Sequence, residues 1–307
     1  MAFTAADVKN LREMTGVGMM DCKKALETSN GDIDEAVAWL REKGLAAAQK
    51  KAGRIAAEGM AYAAVIDGVG VVVEVNAESD FVAKNDLFVE YVQGVAAVVA
   101  AQNPPDLDAL YACQYPGAGK TVQEVQNDKI LVIGENIKVR RFARYDTGFS
   151  VPYVHMGGRI GVMVNFDVDP AFHTNPAIVE LAKDVAMQVA ALNPTFLDKS
   201  QVSQEFIETE KKIRMAQAKE DPKNAGKPDA IIEKIVVGGI GKLYKEICLL
   251  QQTFVKDDKI SVEQHIADVA KQCGTPIKLL AFTRFEKGEG IEKKQDDLAE
   301  EVAKLVK

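Results

Sequence analysis

The sequence predicts an α+β protein with an N-terminal three-helix module, two related α+β halves built on antiparallel sheets, an inserted helical hairpin and a C-terminal helix. Three observations lead to this prediction. Helical periodicity runs through residues 1–54 without an alternating stretch. β-branched residues then recur with period two from residue 59, which is typical of strands. The order hairpin, helix and later strand occurs twice in the rest of the chain, which indicates an internal repeat.

The N-terminal module, residues 1–54, divides into three helices. Thr4 and Asp7 form a potential capping box for the first helix. The glycines of "TGVG" (15–18) end it, and Asp32 is placed to cap the third. Three short helices with a glycine loop between the first two resemble the ubiquitin-associated type of domain, which is a docking module. The Ala-rich, basic stretch 46–58 is expected to link it to the rest as a separate unit.

The first α+β half is expected over residues 55–146. An Asp67-Gly68 pair marks its hairpin turn. Ser79 or Asp80 is expected to cap the helix that follows. Its elements are a hairpin at 59–76, helices at 80–102 and about 121–133, and a strand at 136–145.

The second half is expected over residues 147–285, with its hairpin turning at Gly157-Gly158. Its elements are a hairpin at 149–168, a helix at about 175–192 and a strand at 277–285. Two polar-faced helices inserted at about 201–250 predict a projecting helical hairpin. Residues 286–307 form a C-terminal module whose amphipathic helix begins at residue 294.

Composition excludes several classes of protein. The chain has 307 residues, 47% apolar content and a formal net charge of −7, which indicates more than one core and argues against nucleic-acid or membrane-surface binding. Four scattered cysteines and three histidines offer no metal-ligand spacing, so we expect reduced thiols, no metal and no cofactor. With no signal-peptide core and no apolar run of membrane-spanning length, we expect a soluble cytoplasmic protein.

One stretch is similar to a phosphate-binding loop. "QYPGAGKT" (114–121) ends like GxxxxGK[ST], but Gln114 stands where the first glycine belongs and no buried strand precedes it. A polar loop whose Thr121 caps the next helix explains it better. A nucleotide-binding enzyme using this loop stays the alternative function. His155 lies in a tight-turn sequence without a nucleophile nearby, so we expect no bond-making catalysis.

The polar stretch "SDFVAKN" (79–85) carries an aromatic residue that the helical pattern does not explain. The apolar stripe of the following helix begins at Phe88, and one turn earlier it meets Lys84 and Asn85. Phe81 therefore lies beyond the end of the stripe, beside the Asp80 carboxylate. An aromatic in this position is either packed on its own hairpin or exposed for a partner.

Four stretches taken together identify a family resemblance. They are "LREMTGVGMMDCKKAL" (11–26), "SDFVAKN" (79–85), "HMGGRIGVMV" (155–164) and "RFEKGEGIEK" (284–293). With "VIGENI" (132–137) and "LLQQTFVKD" (249–257), they resemble the elongation factor Ts family, the guanine-nucleotide exchange factors of elongation factor Tu. The similarity runs from end to end in family order.

The resemblance implies a mechanism for the Asp-Phe pair. In the family, the phenylalanine wedges into an apolar cleft near the second switch helix of the partner, and the aspartate disturbs the water shell of the nucleotide-bound magnesium. These roles fall on Phe81 and Asp80, flanked by Ser79 and Val82. The implied function is release of GDP from elongation factor Tu, without bond-making catalysis.

The resemblance also implies docking residues and partners. The chain is expected to bind both GDP-bound and nucleotide-free elongation factor Tu, with no direct contact to nucleic acid or membrane. A homodimer through the helical hairpin or the core is an open alternative. Gln188 stands where the family often has a histidine. The residues expected to dock on the partner are Leu11, Thr15, Gly16, Gly18, Met19, Met20, His155 and Gln188.

Overall fold

The computed structural model describes residues 3–224 and 227–292. The predicted C-terminal helix, from residue 294, lies outside the described residues. The helices are α1 (Ala5–Thr15), α2 (Met19–Thr28), α3 (Ile33–Lys51), α4 (Asp86–Gln102), α5 (Leu107–Ala112), α6 (Val122–Ile133), α7 (Pro176–Leu192), α8 (Gln204–Glu220), α9 (Asp229–Ile247) and α10 (Val262–Cys273). The strands are β1 (Glu58–Ile66), β2 (Val69–Ala77), β3 (Lys138–Tyr145), β4 (Phe149–His155), β5 (Ile160–Asp167), β6 (Thr253–Phe254), β7 (Asp257–Ser261) and β8 (Lys278–Glu286). The predicted α+β class is confirmed.

The described chain separates into two compact units. The first contains residues 3–144, 154–161 and 285–292. The second contains 145–153 and the described part of 162–284. The three N-terminal helices and the first α+β half therefore lie in the same unit.

The three N-terminal helices form where the capping residues predict them. Thr4 accepts from the Asp7 amide and the Asp7 carboxylate accepts from the Thr4 amide, which completes the capping box. The predicted linker is different, because α3 continues through Lys51. Alanine is the strongest helix former, and the small side chains of this stretch let α3 approach α6. Gly44 faces the backbone of Asn127, and a Cβ at this position would lie 3.4 Å from the Asn127 carbonyl oxygen.

The first sheet has the strand order β1-β2-β3. β1 and β2 pair antiparallel from Glu58↔Ala77 to Ile66↔Val69. Asp67 (φ 49°) and Gly68 (φ 82°) turn the hairpin in the left-handed region, as the sequence predicted. Side chains of β2, α4 and α6 form a common core beneath this sheet.

The second half repeats the first, which confirms the predicted relation. The central helices α4 and α7 each begin after an asparagine cap (Asn85 and Asn175) and end at a left-handed asparagine (Asn103 and Asn193). The later helices α6 and α10 each begin after a capping hydroxyl and end at a left-handed glycine, Gly134 in one case and Gly274 in the other. The second sheet has the order β4-β5-β8, which matches β1-β2-β3.

The segment between β2 and α4 is not the predicted helix. Residues Val82–Lys84 form a single 3₁₀ turn, and the α-helix begins only at Asp86. Asn85 separates the 3₁₀ turn from the α-helix. Its backbone is extended, and its side chain caps α4 by accepting from the Leu87 amide at 2.9 Å. The expectation that Ser79 or Asp80 caps α4 was wrong.

The inserted hairpin consists of α8 and α9, as predicted. Its base is a small apolar cluster that contains Phe196, Val202, Phe206, Ile207, Ile240, Leu243, Tyr244, Ile247 and Cys248. The glycines at 238, 239 and 241 do not break α9, since a helix interior tolerates glycine at a cost of about 1 kcal/mol each. Both helices belong to the second unit.

Candidate partner-binding site

The turn after β2 is held by a carboxylate from the far end of α6. Glu135 Oε2 accepts from the backbone amides of Glu78 at 3.0 Å and Ser79 at 2.9 Å. Its second oxygen, Oε1, accepts from the Ser79 hydroxyl at 2.6 Å. Ser79 Oγ also lies 3.4 Å from the Val82 amide, at the start of the 3₁₀ turn. The predicted cap residue thus organises the turn rather than the α-helix.

The turn also supplies a carboxylate, that of Glu78, to the residues that follow α6. Glu78 Oε1 accepts from the Asn136 amide at 2.6 Å and from Arg54 Nη1 at 3.4 Å. The Asn136 side chain donates to the Arg54 carbonyl at 2.8 Å. Two segments distant in sequence therefore cap each other, and Arg54, three positions beyond the end of α3, joins the same network.

Asp80 and Phe81 project from this braced turn. Phe81 is 80% exposed although it is a large apolar side chain, and its backbone is in the ordinary helical region, with φ −65° and ψ −44°. The Asp80 carboxylate is 55% exposed and its sole ion pair in the described chain is with Lys84, at 3.5 Å. Exposed pairs of this kind contribute little to stability. Neither side chain is held by the core.

The repeat supplies an internal comparison for Phe81. Matching the asparagine caps of α4 and α7 places Ala171 in the second half where Phe81 stands in the first. Ala171 is also exposed, ahead of a helix of the same length. The aromatic of the second turn is Phe172, one position later and half-buried, so an aromatic at the exposed position of Phe81 is not a feature of the repeated fold.

A groove of about 470 Å³ with both polar and apolar lining residues adjoins the turn. Leu87 is 38% exposed, and Val132 and Ile133 are half-buried. The groove is lined by Ser79, Phe81, Val82, Asn85, Leu87, Val132, Ile133 and Glu135. Phe81 is thus an exposed aromatic beside a concave wall that is partly apolar.

A polar cleft of about 760 Å³ lies on the Asp80 side of the turn. Asp80 and Lys84 line it together with Arg159, Glu286 and Lys287. The Lys287 ammonium pairs with Glu58 at 2.7 Å, and Arg159 pairs with Glu286 at 3.3 Å. Asp80 therefore projects into a cleft in which charges of both signs are already paired.

A buried carboxylate anchors the "KGEG" end of this cleft. Glu74 is fully buried and accepts from Arg140 at 3.0 Å, Arg141 at 2.5 Å and the Gly288 amide at 2.8 Å. Gly288 has φ 69°, and a Cβ there would lie 2.0 Å from the Ala57 carbonyl oxygen. Glycine is required here, which explains one residue of the sequence motif.

The loop that is similar to a phosphate-binding loop has another structure. The α5 helix, rather than a strand, precedes it. Lys120 pairs with Asp128 at 2.5 Å, and Thr121 forms a capping box with Glu124 at the start of α6. The Tyr115 amide donates to the Lys120 carbonyl at 2.8 Å, which closes the loop on itself. This geometry disfavours the alternative enzyme.

Two other kinds of site have no candidate within residues 3–224 and 227–292. Among the residues that the structure describes, no group of three or more His, Cys, Asp or Glu side chains is placed to hold a metal ion. Within the same residues, no helix is both long and apolar enough to cross a membrane.

Comparison with known proteins decides the family. The family model for elongation factor TS matches residues 78–289 of this chain. An elongation factor Ts from Clostridium perfringens (strain SM101 / Type A) is 50% identical over 306 residues, which cover 98% of each chain. One from Trichlorobacter lovleyi is 50% identical over 309 residues, 99% of this chain and 98% of its own, and one from Magnetococcus marinus is 46% identical over 308 residues, 100% and 99%. The chain belongs to the elongation factor Ts family.

Membership in the elongation factor Ts family gives this chain a role in translation elongation. The matched segment begins at Glu78, so it includes the turn with Asp80 and Phe81, the groove, and every lining residue of the polar cleft except Glu58 and Gly59. The predicted resemblance is thereby confirmed. Other residues expected to dock on the partner lie outside this turn, and the structure places them in several different environments.

Two methionines are exposed where the chain turns from α1 into α2. Met19 is 42% exposed and Met20 is 74% exposed. Met14, in the last turn of α1, is 61% exposed as well. Thioether side chains are flexible and adapt to irregular surfaces. The docking role expected for Met19 and Met20 stays a prediction.

The remaining residues of this turn have structural roles. Leu11 is fully buried in the module core, so its assignment to docking is corrected to packing. Thr15 donates to the Leu11 carbonyl at 2.7 Å. Gly16 is the left-handed end of α1, with φ 68°, and Gly18 caps α2.

Val82, which was assigned to the turn that carries Asp80 and Phe81, is only 8% exposed and anchors that turn in the core.

His155 and Gln188 were both expected to dock on the partner, and the structure places them in different environments. His155 is half-buried at the end of β4, and its carbonyl accepts from the Arg159 amide at 3.0 Å. Gln188 is fully buried, donates to Gln252 and to the Thr253 carbonyl, and accepts from Val255 at 2.8 Å. Its amide is satisfied inside the second unit, so the docking assignment is corrected to a structural one.

Proposed function

We propose that this chain binds elongation factor Tu and promotes release of GDP, with Asp80 and Phe81 entering the GTPase domain of the partner. The supporting observation is the 80% exposure of Phe81 on a turn that is itself fixed. An exposed aromatic gains a large buried area when it enters a pocket. The adjoining groove gives the partner further apolar contacts at Leu87, Val132 and Ile133.

Asp80 acts on the metal that holds the nucleotide. Magnesium requires near-ideal octahedral geometry, so displacing one of its waters weakens its grip on the phosphates. The Asp80 carboxylate is free to do this because its exposed pair with Lys84 is weak. No bond of the nucleotide is made or broken.

Exchange follows from differential affinity. A chain that binds nucleotide-free elongation factor Tu more tightly than the GDP-bound form lowers the affinity for GDP by the same factor. The protein engages both forms, and the braced turn favours the one in which the magnesium site is disturbed. A cell would use this to regenerate its elongation GTPase.

The test is the release of fluorescent GDP from elongation factor Tu, measured by stopped flow. Phe81→Ala should slow release by about tenfold or more, the scale of a hot-spot aromatic. Asp80→Ala should slow it as well, and its defect should shrink when magnesium is chelated. Unchanged release rates in both variants contradict the proposal.

Stability measurements separate this function from a packing role. Phe81→Ala should change the free energy of unfolding by less than about 0.5 kcal/mol, because the side chain is exposed. Phe88→Ala is the matched control: Phe88 is fully buried in α4, and its truncation should cost about 3–5 kcal/mol. A comparable loss of stability in Phe81→Ala would show that Phe81 is a core residue.

A further inference from the structure

The Glu135 carboxylate makes three hydrogen bonds, and all three go to the turn that carries Asp80 and Phe81. Their lengths are 3.0, 2.9 and 2.6 Å, to the amides of Glu78 and Ser79 and to the Ser79 hydroxyl. Hydrogen bonds to a charged acceptor are about twice as strong as neutral ones. The carboxylate therefore fixes the backbone immediately before the exchange residues.

Glu135 is itself rigidly placed. It follows Gly134, the left-handed end of α6, whose amide donates to the Ile130 carbonyl. The next residue, Asn136, is buried and is held through its own amide by Glu78. The hydrogen bonds of Glu135 to Glu78 and Ser79, called the brace below, thus fix the turn relative to the end of α6.

The repeat shows that the fold does not require this brace. Matching the glycine ends of α6 and α10 places Thr275 in the second half where Glu135 stands in the first. The Thr275 amide donates to the Ala270 carbonyl at 3.2 Å, a bond of the helix end alone. The turn before α7 forms without a carboxylate from this position. The brace is confined to the half that carries Phe81.

We infer that Glu135 is a positioning residue for nucleotide exchange, holding the Asp80-Phe81 turn in the conformation that engages the partner. The inference rests on the proposed function of these two residues. A turn left free before binding must be ordered during binding, and that entropy reduces the effect of the wedge. Glu135 removes this cost in the unbound protein.

The test compares Glu135→Ala with Glu124→Ala in the full chain. Glu124 is a matched control, since it is a capping carboxylate at the other end of α6, accepting from the Thr121 amide at 2.8 Å and its hydroxyl at 3.1 Å. At saturating concentration of the variant, Glu135→Ala should lower the maximal rate of GDP release about tenfold, the scale set by one or two residues left to be ordered. Glu124→Ala should leave this rate within twofold of wild type. Equal rates in the two variants overturn the inference.

A combined variant shows whether Glu135 acts through Asp80 and Phe81. In an Asp80→Ala/Phe81→Ala background, Glu135→Ala should slow release no further, because both groups that it positions are gone. A second, multiplicative loss overturns the inference. If Asp80→Ala and Phe81→Ala both leave release unchanged, the proposed function has failed. If Phe81→Ala slows release and Glu135→Ala does not, the positioning role alone has failed.

Amide hydrogen exchange measures the local order of the turn separately from the global stability of the protein. Backbone amides of residues 78 and 79 should exchange faster in Glu135→Ala and at the wild-type rate in Glu124→Ala. Should Glu135→Ala lower the unfolding midpoint, Glu135→Gln serves in its place. The amide keeps one acceptor oxygen for three donors, so an intermediate release rate is expected, and a wild-type rate counts against the inference.

Discussion

Phe81 and Phe88 are both phenylalanines, but their environments differ completely: Phe81 is 80% exposed and Phe88 is fully buried. The helical pattern separates their positions, because the apolar stripe of α4 begins at Phe88 and does not reach back to Phe81, but it left open whether Phe81 packs on its own hairpin or is exposed. The role of Glu135 could not be predicted in this way. Its hydrogen-bond partner Ser79 lies 56 positions away in the sequence, and no periodic pattern connects the two.

His265 gives the second unit a pH dependence at the scale of a single residue. Its ring stacks on Phe254 with centroids 4.2 Å apart, and burial lowers its pKa below the ordinary value. Asp184, 3.8 Å from Nε2, acts in the opposite direction together with Asp268 and Glu180. Burial prevails because Lys256 pairs with Asp184 at 2.7 Å and neutralises much of its charge.

The lowered pKa of His265 predicts loss of stability on mild acidification. The unfolded state binds the proton at higher pH than the folded state, so stability is fully present above the unfolded pKa of about 6.5 and falls as pH drops through the folded pKa. Denaturant unfolding between pH 7.5 and 5.5 should show a steeper decline for wild type than for His265→Phe, which keeps the stacked ring. Parallel declines would remove His265 as the cause.

At the scale of elements, most long segments were predicted and the short ones were missed. The sequence indicated α4, α6, α7 and the β1-β2, β4-β5 and α8-α9 hairpins. It did not indicate α5 or the β6-β7 ribbon, which are short. The α10 helix was missed although Val262, Ile266 and Val269 form a regular stripe at helical spacing. Its capping hydroxyl and terminal glycine match those of α6, so aligning the two halves would have found it.

Two helical glycines offer opposite outcomes for one substitution. A Cβ on Gly94 in α4 would lie 1.9 Å from the Tyr115 hydroxyl oxygen, which donates to the Glu90 carbonyl at 3.1 Å. Gly94→Ala should therefore displace Tyr115 and cost about 1–3 kcal/mol despite the better helix propensity. Gly241→Ala in α9, where nothing lies within 4 Å, should stabilise by about 0.5–1 kcal/mol.

Chemical denaturation of the two glycine variants checks this pair. In a Tyr115→Ala background, Gly94→Ala should lose its cost, since the clash is with that side chain alone. A persistent cost would place the strain in the α4 backbone instead.

At the scale of the whole chain, the two halves differ mainly in what lies between their paired helices. The first half places only the short α5 and a loop between α4 and α6. The second places α8, α9 and the β6-β7 ribbon between α7 and α10. An insertion at a connection adds chain without removing a core contact, and longer loops add little entropy cost. The hairpin is therefore an addition to a repeat that is complete without its outer part.

The outer hairpin should be removable while its base must stay. Beyond the base cluster, Val236 of α9 shares a groove with Met215 and Ala216 of α8 and so packs within the hairpin. Replacing residues 212–238 by a Gly/Ser linker of about six residues, which spans roughly 13 Å, can join helices about 8–10 Å apart. The thermal midpoint should move by no more than about 4 °C and remain cooperative. Leu243→Ala is the contrasting variant, since Leu243 is 2% exposed in the base and its truncation should cost about 2–5 kcal/mol. Calorimetry distinguishes the two, and loss of a cooperative transition in the excised chain would show that the outer hairpin belongs to the core of the second unit.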